Sequence, residues 1–385
     1  MTGIHLRTQL CALLDINYPI CLAGMGSQGR ATPPALVAAV SEAGGLGVIG
    51  GAGLSPSRLR AVIRDVRTQT AKPIGVNLVL PQAAAKAELD RDRIRREIIE
   101  QFPEHAAFVR ELAKGFGLEL VELDSRIAVS GAATADGTDA GLRGSRAELT
   151  RSLIDVVLEE DVQVFAGAVG DLKLISGPAH EKRMLVMGLA TSTKQAKSYA
   201  AAGADLIIAQ GLEAGGHVGR IPNFALLPDV IDSVSVPVIA AGGISDGRGI
   251  AASLAFGAVG VWMGTAFLVA EECSIPAEHK SQILEGRLED FRSDRIYSGS
   301  PMRGFRNATI KAWEDSGLEP LANPYQKVLM DDFNAAAAAA GRWDLHSNPS
   351  GVGGGLLTEA KPARAIVDEL VKSASEAISR LAGSI

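Results

Sequence analysis

Eight short apolar runs, each followed by a helical stretch, constrain this chain more than any other feature. They begin at residues 19, 46, 74, 162, 183, 205, 236 and 260. Runs such as Ile74 to Leu80 and Val162 to Ala166 are apolar almost throughout rather than at alternate positions, the pattern of parallel strands buried on both faces. The intervening stretches carry helix punctuation. Pro33 to Ala43 stops at Gly44-Gly45, and Ser55 precedes the helix Pro56 to Gln69, which has proline at its first position. Helices are also read around Leu172 to Glu181, Thr193 to Ala202, Phe224 to Ser233 and Asp246 to Phe256. Strict alternation with eight strands predicts an α/β fold closed as a (β/α)8 TIM barrel rather than an open sheet.

Such a barrel needs roughly 250 residues, and the chain has 385. Residues 1–81 and 161–270 are assigned to the barrel. Residues 82–160 read as an insertion between strands three and four, charged and helical to about Gly115, then rich in Gly, Ala and Thr from Val129 to Gly144. Residues 271–350 are expected to form a helical cover or substrate segment, in which Pro324 to Ala340 is a helix and Gly341 its C-cap. Residues 351–385 supply a last barrel-side helix, Pro362 to Leu381.

Composition narrows the function. Hydrophobic residues at 47% and charged residues at 21% suit a globular enzyme rather than a disordered chain. A net charge of −6 with 4% aromatics and no basic stripe lacks what grips phosphodiester backbones or stacks bases, so nucleic acid is not an expected partner. No uncharged apolar span approaches about 20 residues, so no membrane crossing is expected. Cys11, Cys21 and Cys273 are too few and scattered for a disulfide framework or a zinc site. With no signal-peptide pattern before Pro19, the expected location is cytoplasmic, with no metal.

The chemistry concentrates after strand ends. Gly211-Leu-Glu-Ala-Gly-Gly-His-Val-Gly219 sets one histidine among four glycines directly behind Asp205 to Gln210. Glycines let backbone approach a ligand, and His217 offers a ring suited to proton transfer near neutral pH. Glu213 reads as an orienting residue for this loop. The other five histidines, in helices or variable segments, are assigned no chemistry. Ala241-Gly242-Gly243-Ile244 and Met263-Gly264-Thr265 follow strands seven and eight, where barrels of this class bind phosphate through bare backbone amides and a short helix start. Asn77 and Gln210 are amides inside apolar runs, placed to satisfy a structural hydrogen bond or to hold the polar edge of a heterocycle. Gly24-Met-Gly-Ser-Gln-Gly29 and Gly45-Leu-Gly-Val-Ile-Gly50 match a dinucleotide fingerprint in spacing alone. Leu46 to Gly51 offers no acidic residue for a ribose, so they are read as turn glycines.

Taken in order, Pro19-Ile-Cys-Leu-Ala-Gly-Met25, Gly75-Val-Asn-Leu78, Ala209-Gln-Gly-Leu-Glu-Ala-Gly-Gly-His217, Val238-Ile-Ala-Ala-Gly-Gly-Ile244 and Met263-Gly-Thr265 resemble the nitronate monooxygenases, also called 2-nitropropane dioxygenases. The likeness covers most of residues 15–270. It implies an FMN-dependent enzyme in which Met25, Asn77, Gln210, Gly215 and Gly216 contact the flavin. Gly242, Gly243, Met263, Gly264 and Thr265 would line its phosphate end, with His217 above the ring as the acid-base or substrate-orienting group. The reaction implied is oxidation of a nitronate to a carbonyl compound and nitrite using O2. The chain departs from the family pattern at Ala23-Gly24-Met25, at Ala166-Gly-Ala-Val-Gly170, which lacks the histidine common there, and in the long insertion. Related barrels sharing the histidine loop resemble enoyl-ACP reductases, so the alternative is an NAD(P)H-dependent FMN reductase of an enoyl thioester or quinone. A third reading is a flavin-binding scaffold without chemistry. The expected partner is a small-molecule substrate, and a homodimer is left open.

Overall fold

The computed structural model describes residues 6–26, 30–81, 90–120 and 146–383. The Gly/Ala/Thr-rich reading of 129–144 lies outside them. Eight parallel strands form the barrel: β1 Ile20–Leu22, β2 Gly47–Gly50, β3 Ile74–Val79, β4 Val164–Ala168, β5 Leu185–Ala190, β6 Leu206–Gln210, β8 Val238–Ala241 and β9 Gly260–Met263, with a two-residue strand β7, Gly216–His217, between β6 and β8. Each barrel strand pairs with the next in chain order from β2 round to β9, which pairs with β1. A parallel bridge between Cys21 and Leu46 closes the ring between β1 and β2.

The strands are apolar throughout because both faces are covered. In β6, Leu206 and Ile208 pack inside the barrel with Val164, Ala166, Ile239 and Trp262. Ile207 and Ala209 face the surrounding helices. The period of two then aims Gln210 inward, one layer above Ile208, at the carboxyl end. The same parity aims Asn77 inward, since Ile74, Val76 and Leu78 belong to the outer layer. Helix α1, Gln9–Leu14, closes the opposite end, where Leu10, Cys11 and Leu14 join the interior cluster.

Around the barrel run α2 Pro34–Glu42 and α3 Pro56–Gln69. Ser55 caps α3 by accepting from the Arg58 amide at 3.2 Å. The insertion contributes α4 Arg91–Gln101 and α5 Pro103–Gly115, followed by α6 Arg146–Glu159. At its carboxyl end α6 is tied to α3, where Arg60 and Arg64 both pair with Glu160. The end of the 82–160 stretch therefore supplies the ring helix between β3 and β4. Short α7, Ser176–Glu181, then α8 Thr193–Ala201, α9 Asn223–Ser233, α10 Gly247–Ala255 and α11 Thr265–Leu268 complete the wall.

Beyond the barrel lie α12 Ala277–Glu285, strands β10 Phe291–Asp294 and β11 Met302–Phe305, α13 Ala308–Ser316, α14 Tyr325–Ala339 and the terminal α15 Ala363–Ala382. Gly341, at φ 69°, follows α14 as the left-handed terminating residue. Helices α4 and α5 do not pack on the barrel core. They share a second core with α13 and α14, in which Ile98, Val109, Trp313, Val328 and Phe333 are buried together. Insertion and cover thus form one cap over the barrel mouth. Two elements were not visible in the sequence: β10 and β11 form an antiparallel hairpin, and β11 adds β7 as a third strand. The cap is therefore not helical alone. Among the described residues no helix is long and apolar enough to cross a membrane.

Candidate active site

The inward parity of the strands and the turns that follow them meet in a cavity of about 380 Å³ at the carboxyl ends of the barrel, within the size range of small-ligand pockets. All of the site residues expected from the sequence line it. Met25 and Asn77 stand on one side, with Gln210, Gly215, Gly216 and His217 along the loop after β6. Gly242 and Gly243 follow β8, and Met263, Gly264 and Thr265 follow β9.

The histidine loop is held from both ends. Glu213 accepts from the Asn223 backbone amide at 3.0 and 3.1 Å. The Asn223 side-chain amide in turn donates to the carbonyls of Ala241 and Gly242 at 3.0 and 2.5 Å. Glu213 is thus a brace between the loop, the start of α9 and the turn after β8. Its carboxylate is spent on backbone, which answers the orienting role expected of it. On the other side His217 pairs with Met302 and Gly216 with Arg303 in the small sheet. Arg303 also donates from Nε to the Leu212 carbonyl at 3.1 Å and from Nη1 to the Phe291 carbonyl at 2.5 Å. The Gln210 amide donates to the His217 carbonyl at 3.1 Å, so the ring's backbone is fixed by its own barrel strand. Partial burial at the mouth, and then the Lys327 ammonium, push the His217 imidazole below its ordinary 6.5. It is neutral near pH 7, with one nitrogen to donate and one to accept.

The opposite end of the cavity is built from backbone. Gly242 and Gly243 have φ of 99° and 72°, a left-handed region that a side chain would strain. Gly215 is close-packed: a Cβ there would lie 2.7 Å from the Gly351 nitrogen. Thr265 accepts from that Gly351 amide at 2.9 Å through Oγ1, which leaves its hydroxyl hydrogen free to donate. Ser245 also lines the cavity, and its buried hydroxyl has no hydrogen-bond partner. A buried unsatisfied hydroxyl costs about 1–3 kcal/mol, so one placed beside glycine amides implies a polar guest.

Sequence reading missed six contributors. Ser245 sits two residues past the glycine pair. Pro349, Gly351 and Gly353 line the cavity from a loop beyond the cap, signalled only by the glycine run 351–355. Met302 comes from the unforeseen hairpin. His279, set aside as a helical histidine, also lines the cavity from α12. It is buried, and its Nε2 lies 2.9 Å from Ser350 Oγ. Among the described lining residues there is no Asp, Glu, Lys or Arg, so the cavity carries no fixed charge.

A closed eight-stranded barrel with its cavity, glycine cradle and mouth imidazole at the strands' carboxyl ends has the architecture of a barrel enzyme. Residues 7–373 match the family model for nitronate monooxygenase. The chain belongs to that family and is an oxidoreductase. It is 31% identical over 392 residues to a Staphylococcus saprophyticus protein named "Probable nitronate monooxygenase", covering 98% of this chain and 100% of that one. Among solved structures it is similar to nitroalkane oxidase from Streptomyces ansochromogenes, with TM-score 0.77 and 30% identity over 97% of this chain and 99% of the other. It is also similar to FabK from Thermotoga maritima, with TM-score 0.74 and 30% identity over 98% and 99%.

Proposed function

We propose that this enzyme binds FMN and oxidises a nitronate to a carbonyl compound and nitrite, with O2 as the electron acceptor. The observation that carries the reading is the partnerless Ser245 hydroxyl set among the glycine turns after β8 and β9, opposite the His217 ring across one cavity. Those turns fit a phosphate: Gly242, Gly243, Gly264, Ser245 and Thr265 offer amides and hydroxyls and no competing carboxylate. Asn77 and Gln210 are placed for the polar edge of a flavin ring, and Met25 for its apolar face. Bound there, FMN would supply the redox chemistry that links substrate oxidation to O2. The chain's own part is to exclude water, through the cap, and to orient the substrate. His217, held neutral, presents a hydrogen-bond donor to the nitronate oxygens and takes no proton from water first.

A second reading is NAD(P)H-dependent reduction of an enoyl thioester or quinone. The likeness to FabK at the same 30% identity supports it, as does a cap large enough to hold its own core. A visible spectrum of the purified protein tests the cofactor. Anaerobic mixing with an alkyl nitronate should then bleach the flavin band, and an unchanged band would rule the first reaction out. Rapid bleaching by NADH or NADPH, reversed by a thioester, would establish the second.

A further inference from the structure

His279 lies 71 positions before Ser350 in the chain yet is joined to it in a buried contact. The Ser350 hydroxyl also donates to the Asn348 carbonyl at 3.4 Å, so the serine links the imidazole to the main chain of its own loop. Burial holds the ring's pKa down to about 4, with His346 adding to the shift, so the ring is neutral near pH 7.

The segment gripped in this way, Pro349 to Gly353, is the wall of the proposed phosphate cradle. Its Gly351 amide donates to Thr265 Oγ1 at 2.9 Å, and its Val352 amide donates to the Glu213 carbonyl at 3.0 Å. Main-chain atoms of Ser350 and Gly351 close over Gly215 so tightly that no Cβ fits between them. Ser350 itself is fully buried. Three of the loops that line the cavity, those after β6 and β9 and the one beyond the cap, meet at this segment. The side chain that bonds Ser350 Oγ from another element is His279.

We infer that His279 is a positioning residue for phosphate binding: by bonding Ser350 it locks the 349–353 segment, and through Gly351 the Thr265 hydroxyl, in the geometry that receives an anion. This rests on the phosphate reading of the cradle. It also explains why a histidine stands on the inner face of a cap helix that otherwise buries only Ile283.

The test compares FMN and riboflavin, which differ by the phosphate alone, binding to wild type, His279→Ala, His279→Gln and Ser350→Ala, with each variant's fold checked by its thermal melt. The expected result is a loss of roughly tenfold in FMN affinity for His279→Ala and Ser350→Ala, the size of one or two hydrogen bonds. Riboflavin affinity should hold, and His279→Gln should recover part of the loss because its amide can still hydrogen-bond Ser350 Oγ. A general structural role would weaken both flavins alike, and that outcome would overturn the inference. So would unchanged FMN affinity in folded Ser350→Ala, which decides the matter if His279→Ala fails to fold. Wild-type protein that binds neither flavin would instead sink the cofactor reading, and this inference with it.

Discussion

His217 has a neutral ring, a backbone fixed by Gln210 and by the β11 pairing, and no carboxylate beside it in the cavity lining. A group arranged this way orients or exchanges a proton with substrate without attracting a counterion. His217→Ala should keep its flavin and lose about a hundredfold or more in kcat, the contribution usual for a positioned acid-base group. Unchanged turnover with flavin retained would remove the ring from the chemistry and favour the scaffold reading. Gly215 makes the complementary case. Gly215→Ala places a methyl group against main-chain atoms of Ser350 and Gly351, which cannot rotate away. The expected result is protein purified largely without flavin and destabilised by about 1–3 kcal/mol, measured by absorbance ratio and urea denaturation.

Within the cap, Arg95 of α4 on the insertion donates to both carboxylate oxygens of Asp332 on α14 at 3.0 and 2.8 Å. The Arg95 and Asp332 side chains are only 9% and 11% exposed. Removing one partner leaves the other charge without its fork, so Arg95→Ala should cost roughly 3 kcal/mol in urea denaturation, while Arg95→Met with Asp332→Leu should cost much less. Equal losses in the two would show that packing, not charge, holds the insertion to the cap. This join, unlike the barrel, was not legible in the sequence. Barrel strands announce themselves because each is apolar on two faces, and the inward parity of Asn77 and Gln210 follows from counting by two. Phe291-Arg-Ser-Asp294 and Met302-Arg-Gly-Phe305 carry few apolar residues each, and the third strand is Gly216–His217, some 85 positions earlier. Their stability comes from pairing and from the Phe291–Phe305 ring contact at 5.8 Å, neither of which leaves a local pattern. His279 escaped for the same reason, since its meaning lies in Ser350. The glycines around His217 were readable because close backbone approach demands glycine whatever the partner.

Over the whole molecule, burial of ionisable groups sets how stability responds to acid. His279 and His346, both lowered chiefly by burial, and His217, lowered by partial burial, are neutral in the fold. Their contribution is complete above the ordinary histidine pKa of 6.5 and is lost as pH falls, for His279 through about 4. That single group accounts for about 3 kcal/mol. Asp294 acts in the opposite sense. Burial in β10 raises its carboxyl from 3.8 to about 6, so its contribution is complete below 3.8 and is lost as pH rises through about 6. Across pH 4 to 6.5 the aspartate therefore offsets part of what the histidines lose, and the wild-type curve should be shallow there. Asp294→Asn keeps an oxygen to accept from the Ile296 amide, now at 2.8 Å, and cannot ionise. It should be more stable than wild type at pH 8 by up to about 3 kcal/mol and lose that margin by pH 4, so its own curve falls more steeply with acid. Urea denaturation at pH 8, 6 and 4.5 measures the difference directly. A variant no more stable than wild type at pH 8 would mean that the Asp294 carboxylate is already compensated where it sits.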